Sequence, residues 1–65
     1  MSMDIGHEAE LIADSLNYDP KMSWDDVRDY ADLSTGGDLD CIKLDILTDS
    51  VVSVIDRETR RRQTP

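Results

Sequence analysis

The first half of the chain carries two apolar stripes with helical spacing. Residues of the first stripe recur every three or four positions: Ile5, Ala9, Ile12 and Leu16. The second stripe has similar spacing and consists of Trp24, Val27, Tyr30 and Ala31. Such spacing places apolar side chains on one face of an α-helix. The pattern therefore predicts two helices, at about 4–17 and about 24–33, each with one buried face.

Local signals mark the ends of both predicted helices. Pro20 disfavours helical backbone at the residue before it, so the first helix is expected to end near position 17. Ser23 and Asp26 resemble a capping box, which predicts that the second helix begins at Trp24. Gly36 follows that helix, and a glycine readily adopts the left-handed conformation that closes a helix.

The pattern then changes to a period of two, which is typical of strands with one buried face. The alternating apolar residues are Ile42, Leu44 and Ile46. A following run, Val-Val-Ser-Val-Ile, is rich in β-branched residues, which favour strands. A three-residue loop at 48–50 would bring the apolar residues of both strands to one face. The predicted strands are 40–47, 51–56 and a possible short edge strand at 60–64.

These elements predict an α+β fold. Its two N-terminal helices would pack on a small antiparallel β-sheet of two to three strands, in a single small domain over 1–65. A helical interpretation of the second half stays open, because a helical stripe also fits Leu44, Leu47, Val51, Val54 and Ile55. That helix would allow ion pairs between Asp56 and Arg60 and between Glu58 and Arg62. Strands are preferred because β-branched residues are poor helix formers.

The composition is that of a small acidic protein. The chain has 65 residues, and its 15 Asp and Glu against 7 Lys and Arg give a formal net charge of −8. Residues 1–56 hold 14 acids and 3 bases, so the acidic charge is concentrated there. Such a body disfavours direct binding to phosphate backbones. The basic residues of the C-terminal end are Arg57, Arg60, Arg61 and Arg62.

The sequence offers little for catalysis or metal binding. Its single Cys and single His, Cys41 and His7, cannot supply a zinc site or a disulfide within the chain. Asp38-Leu-Asp40 resembles the start of a calcium loop but lacks the following glycine and the closing glutamate. A chain this short has little room for a cleft that separates carboxylate pKa values. We therefore expect no enzyme and no catalytic, cofactor or metal site.

The outer face of the second predicted helix is a candidate binding surface. Asp25, Asp29 and Asp32 fall within about 60° of one another, with axial separations of roughly 6 Å and 4.5 Å. Adjacent phosphates of a nucleic-acid strand have a similar separation, so this row can imitate a backbone. Further carboxylates extend the candidate acidic face: Glu10, Asp14, Asp38 and Asp40.

With these carboxylates on so short a chain, the sequence resembles the small acidic inhibitors encoded by bacteriophages and other mobile elements. This group includes anti-CRISPR and anti-restriction proteins. The resemblance is one of size and charge. It implies a non-enzymatic inhibitor that presents a nucleic-acid mimic to the basic groove of a host nucleic-acid-binding defence complex.

Partners and location follow from the same features. The expected partner is a basic host protein, with no direct nucleic acid and no membrane, in the host cytoplasm, since no signal-peptide pattern or long apolar run occurs. Whether the chain is a monomer or a homodimer is open. One alternative is a small regulatory or structural interaction module that docks through an apolar patch or as a homodimer, with Leu11, Leu33, Leu39 and Leu47 as candidates. Another is nucleic-acid binding through the C-terminal arginines.

Overall fold

The computed structural model describes residues 4–63, which form three α-helices. Helix α1 spans Ile5–Ser15, α2 spans Trp24–Ser34 and α3 spans Cys41–Gln63. In α1, the side chain of Asp4 accepts a hydrogen bond from the backbone N–H of His7 at 3.2 Å, which satisfies a free donor of the first turn. The helix ends two residues earlier than the sequence predicts.

The chain leaves α1 through two residues in the left-handed region. Asn17 and Tyr18 have φ angles of 57° and 52°. The backbone N–H of Tyr18 donates to the carbonyl of Ala13 at 3.0 Å, which closes the C-terminus of the helix. Asn tolerates this conformation, whereas Tyr rarely adopts it. Tyr18 packs against the core, which compensates for its unusual backbone.

Helix α2 has the ends that its flanking residues predict. The hydroxyl of Ser23 accepts a hydrogen bond from the backbone N–H of Asp26 at 3.1 Å. The helix begins at Trp24, directly after Ser23. Gly36 and Gly37 follow it with φ angles of 68° and 75°. The backbone N–H of Gly37 donates to the carbonyl of Asp32 at 3.0 Å, so the glycines close the helix as expected.

The predicted β-sheet is wrong. The proposed strands at 40–47 and 51–56 are parts of the single helix α3, as are positions 60–63 of the proposed edge strand, while Thr64 lies outside the described residues. Over residues 4–63 the protein is all-helical and contains no strand. The predicted strand face is largely exposed, because Ile42 and Ile46 are 73% and 47% accessible. The side chains that α3 does bury have helical spacing: Leu44, Leu47, Thr48, Val51, Val54 and Ile55.

Packing explains why a β-branched segment forms a helix here. Helices α1 and α2 each have one apolar face, and both pack mainly against α3 rather than against each other. A continuous helix gives both of them an apolar face, and such tertiary packing outweighs intrinsic propensity. Asp40 also caps α3 by accepting from the backbone N–H of Lys43 at 2.8 Å. Thr48, which is fully buried, satisfies its hydroxyl by donating to the carbonyl of Leu44 at 2.7 Å.

The resulting molecule is organised along α3. This helix is about 34 Å long at 1.5 Å per residue, and the molecule measures 40 × 23 × 18 Å. The core combines residues from all three helices: Ala9, Ile12, Ala13, Val27, Ala31, Leu44, Leu47, Val51, Val54 and Ile55. The outer faces of α1 and α2 therefore remain available to solvent or to a partner.

Candidate functional site

The outer face of α2 carries a row of three carboxylates, here called the acidic strip: Asp25, Asp29 and Asp32. All three residues are exposed. The opposite face of the same helix is anchored in the core by Val27 and Ala31. Helical geometry separates successive carboxylates of the strip by about 6 Å and 4.5 Å along the axis. The capped and packed helix thus holds the strip on a rigid support.

The acidic strip is not neutralised by the protein itself. Its carboxylates make no side-chain hydrogen bond and no salt bridge to any residue between 4 and 63. Arg28, the basic residue of α2, points away from the strip. It pairs with Asp45 of α3, with 2.9 Å between Nε and Oδ1. This hydrogen bond is the main cause that raises the pKa of Arg28. The charges of the strip are therefore available to an external cation.

Two of the other predicted site residues have structural partners. Glu10 pairs with Arg57 of α3 at 3.3 Å, so this ion pair joins α1 to α3. Asp40 caps α3. Asp14, on α1, and Asp38, in the loop between α2 and α3, are exposed and have no side-chain partner in the described part of the chain. The seven predicted carboxylates thus lie on different elements, and only the acidic strip forms a row on one helix. Their role in binding stays a prediction.

The C-terminal arginines are directed back onto the protein. Arg57 contacts Glu10, and Arg60 and Arg61 pair with Asp56 at 3.2 Å and Glu58 at 3.5 Å. The guanidinium of Arg62 lies over the ring of Tyr18, 5.4 Å from its centroid. Positive charge in the last turn is also favourable at the C-terminal end of the helix dipole. The helix thus brings about the proposed Asp56 and Arg60 pair, whereas Glu58 pairs with Arg61 rather than with Arg62.

A second contact between α2 and α3 was not foreseen from the sequence. Trp24, predicted on a buried face, is 39% exposed, and its indole N–H donates to Asp49 Oδ1 at 2.7 Å. One turn along each helix, Arg28 bonds to Asp45. The numbering of these two pairs shows that α2 and α3 are antiparallel. If 40–56 had been taken as helical, the i, i+4 spacing of Asp45 and Asp49 would have placed both carboxylates on one face of that helix.

The apolar patch considered from the sequence does not form as predicted. Leu47 is fully buried, and Leu39 packs against the core. Leu11 and Leu33 are exposed, but they lie on different helices. Exposed apolar side chains instead occur one turn apart on α3, at Ile42 and Ile46.

Between residues 4 and 63, no three His, Cys, Asp or Glu side chains are grouped so that they could hold a metal ion. None of the helices over that range is long and apolar enough to cross a membrane. Cys41, the first residue of α3, is a free and exposed thiol.

Comparison of the chain with protein-family models, with curated protein sequences and with solved structures found no match. The resemblance to small acidic phage inhibitors therefore stays a prediction from size and charge.

Proposed function

We propose that this chain is a non-enzymatic binding protein whose acidic strip occupies the basic groove of a host nucleic-acid-binding protein. It would act in the host cytoplasm as a stoichiometric inhibitor of the anti-CRISPR or anti-restriction kind, displacing the nucleic acid. The observation that supports this proposal is the unneutralised strip of Asp25, Asp29 and Asp32 on the outer face of α2.

The distribution of charge supports the same proposal. The described arginines are engaged with residues outside the strip, on α1 and α3 or in the segment that follows α1. A formal net charge of −8 on so small a protein would steer it towards a basic groove and raise the association rate at low salt. Binding should therefore weaken as salt screens the charges.

Competition for a DNA resin tests the proposal. Proteins of a bacterial lysate would be bound to immobilised double-stranded DNA at low salt and then challenged with the purified chain. We expect the chain to release a specific subset of these proteins, because its strip competes for their DNA-binding grooves. Charge reversal by Asp25→Lys plus Asp29→Lys should abolish this release.

A matched control separates the strip from net charge. Asp14→Lys plus Asp38→Lys changes the net charge by the same amount, at exposed residues on α1 and in the loop between α2 and α3. The proposal assigns binding to the acidic strip alone and not to the wider acidic face expected from the sequence, so this control should still release the same proteins. The proposal is wrong if the native chain releases nothing, or if both double variants lose activity equally. Circular dichroism would verify that both variants remain helical.

The exposed isoleucines favour a second candidate function, self-association or docking of a regulatory module. Ile42 and Ile46 are one helical turn apart and 73% and 47% exposed. A dimer would cover them and enlarge a small hydrophobic core. Light scattering over a range of concentrations tests this candidate, with Ile42→Glu as the disrupting variant. A mass that equals one chain at all concentrations would exclude the dimer.

A further inference from the structure

A shallow cavity of about 150 Å³ opens where the segment between α1 and α2 crosses the C-terminal half of α3. Its floor is apolar and consists of Pro20, Met22, Val27, Val52 and Ile55. Val27 and Ile55 belong to the buried core, and Met22 and Val52 pack against it. Four of the five floor residues thus belong to the core or pack against it, which holds this part of the cavity in place. In a closed apolar cavity a volume of about 150 Å³ holds benzene, so this open cavity has room for the aliphatic part of one side chain.

The rim of the cavity is acidic. Asp19 and Asp56 are exposed at its edge, together with the half-buried Thr59. Asp19 accepts a hydrogen bond from the backbone N–H of Lys21 at 2.9 Å, which orients its carboxylate. Asp56 already accepts a guanidinium, since Arg60 lies 3.2 Å from its Oδ2. Both partners of this pair are mostly exposed, and such surface pairs contribute little to stability.

We propose that this cavity receives a long basic side chain of the partner protein. The aliphatic stem would lie on the apolar floor, and the charged head would meet the carboxylates of Asp19 and Asp56. An uncharged apolar side chain fits less well, because it would desolvate the carboxylate of Asp19 and the pair of Asp56 with Arg60 without donating a hydrogen bond to either. Lysine and arginine combine an apolar stem with a charged head, which matches the floor and the rim.

This inference rests on the proposed function, because it specifies how a basic partner would be recognised. The acidic strip offers only charge and would accept any cation within reach. The cavity adds a requirement for an aliphatic stem of defined length. The partner would therefore place one basic side chain in the cavity and further ones along α2.

Methyl NMR spectroscopy with a small probe tests the cavity directly. The probe is n-butylguanidinium, whose four carbons and charged head correspond to arginine from Cα to the guanidinium, and the controls are guanidinium and 1-butanol. We expect saturable shifts of the methyl signals of Met22, Val27, Val52 and Ile55 with the probe at low salt. Guanidinium alone should not saturate these shifts, and 1-butanol should bind more weakly than the probe.

Two double variants locate the charge requirement. Asp19→Asn plus Asp56→Asn should weaken binding of the probe about tenfold, equivalent to about 1.4 kcal/mol. Asparagine at position 19 retains the oxygen that accepts from Lys21, so the local turn is preserved. Asp14→Asn plus Asp38→Asn changes the net charge equally, at exposed carboxylates that lie outside both the cavity and the acidic strip, and should leave binding nearly unchanged.

The outcomes for the cavity and for the proposed function differ. If the probe shifts none of the lining methyl groups, or if 1-butanol binds as well as the probe, the cavity proposal is overturned. Equal weakening by the two double variants would also overturn it, because only net charge would then matter. These results leave the DNA-resin competition intact. Loss of the strip effect on the resin, with probe binding retained, would instead contradict the proposed function alone.

Discussion

Replacing Leu47 by alanine tests the helical register of α3, on which the acidic strip depends for its support. Leu47 is fully inaccessible in the core. Truncation of a buried leucine costs about 2–5 kcal/mol, through lost apolar contact and the cavity left behind. A domain of this size is expected to have a total stability of about 3–10 kcal/mol. Leu47→Ala should therefore remove a large part of the free energy of unfolding.

Ile42→Ala is the matched control on the same helix. Ile42 is 73% exposed, so its truncation should change the free energy of unfolding by no more than about 0.5 kcal/mol. A strand over 40–47 would reverse this order, because Ile42 would then lie on the buried face and Leu47 would not. The two substitutions thus distinguish the helix from the strand.

Urea unfolding monitored by far-ultraviolet circular dichroism measures both variants. We expect the midpoint of Leu47→Ala to fall strongly and that of Ile42→Ala to stay close to that of the native chain. A larger loss for Ile42→Ala than for Leu47→Ala would refute the register of α3 and the packing described above. Similar slopes of the transitions would show that the comparison concerns stability rather than a changed unfolded state.

Four further predictions concern the remaining contacts and the charge. Trp24→Phe removes the donor to Asp49 and should cost about 0.5–1.5 kcal/mol in urea unfolding, an effect that should vanish in an Asp49→Ala background. Ser23→Ala removes the cap of α2 and should lower the free energy of unfolding by about 1 kcal/mol in thermal unfolding. Asn17→Gly relieves a positive φ and should raise that free energy by up to about 1 kcal/mol in the same measurement. Added NaCl should raise the melting temperature, because it screens the self-repulsion of a chain with a net charge of −8, and a fall would show that the ion pairs matter more.

The N-terminal half of the fold follows closely from local sequence signals. The cap at Ser23 and the glycines after α2 act within a few residues, so their effect can be predicted without knowledge of the tertiary structure. The end of α1 could be located only approximately. Asn17 and Tyr18 stop the helix by adopting positive φ, and for Tyr18 this depends on packing against the core.

The fold of the C-terminal half could not be decided by the same reasoning. In Ile42, Leu44 and Ile46 the period of two is real, and β-branched residues favour strands. The alternative stripe through Leu47 and Val51 fits a helix. Whether the segment forms strands or a helix depends on which of them better covers the apolar faces of the first two helices. Only the tertiary structure shows that one long helix packs against the apolar faces of both α1 and α2.

The acidic strip could be predicted from little more than the helical period. Since Asp25, Asp29 and Asp32 lie on a segment with clear end signals, their common face could be predicted. The contacts of Arg57 with Glu10 and of Arg62 with Tyr18 could not be predicted, because they join residues distant in sequence. The cavity also combines distant segments, so it has no sequence signature.

The most direct test of the central claim is a titration of DNA displacement from a protein that the native chain releases. The concentration for half-maximal displacement would be measured for the native chain, for Asp25→Lys plus Asp29→Lys, and for Asp14→Lys plus Asp38→Lys. We predict an increase of at least about tenfold for the strip variant, equivalent to about 1.4 kcal/mol, with little change for the control. Equal concentrations for the strip variant and the native chain would contradict the claim that the outer face of α2 replaces a nucleic acid.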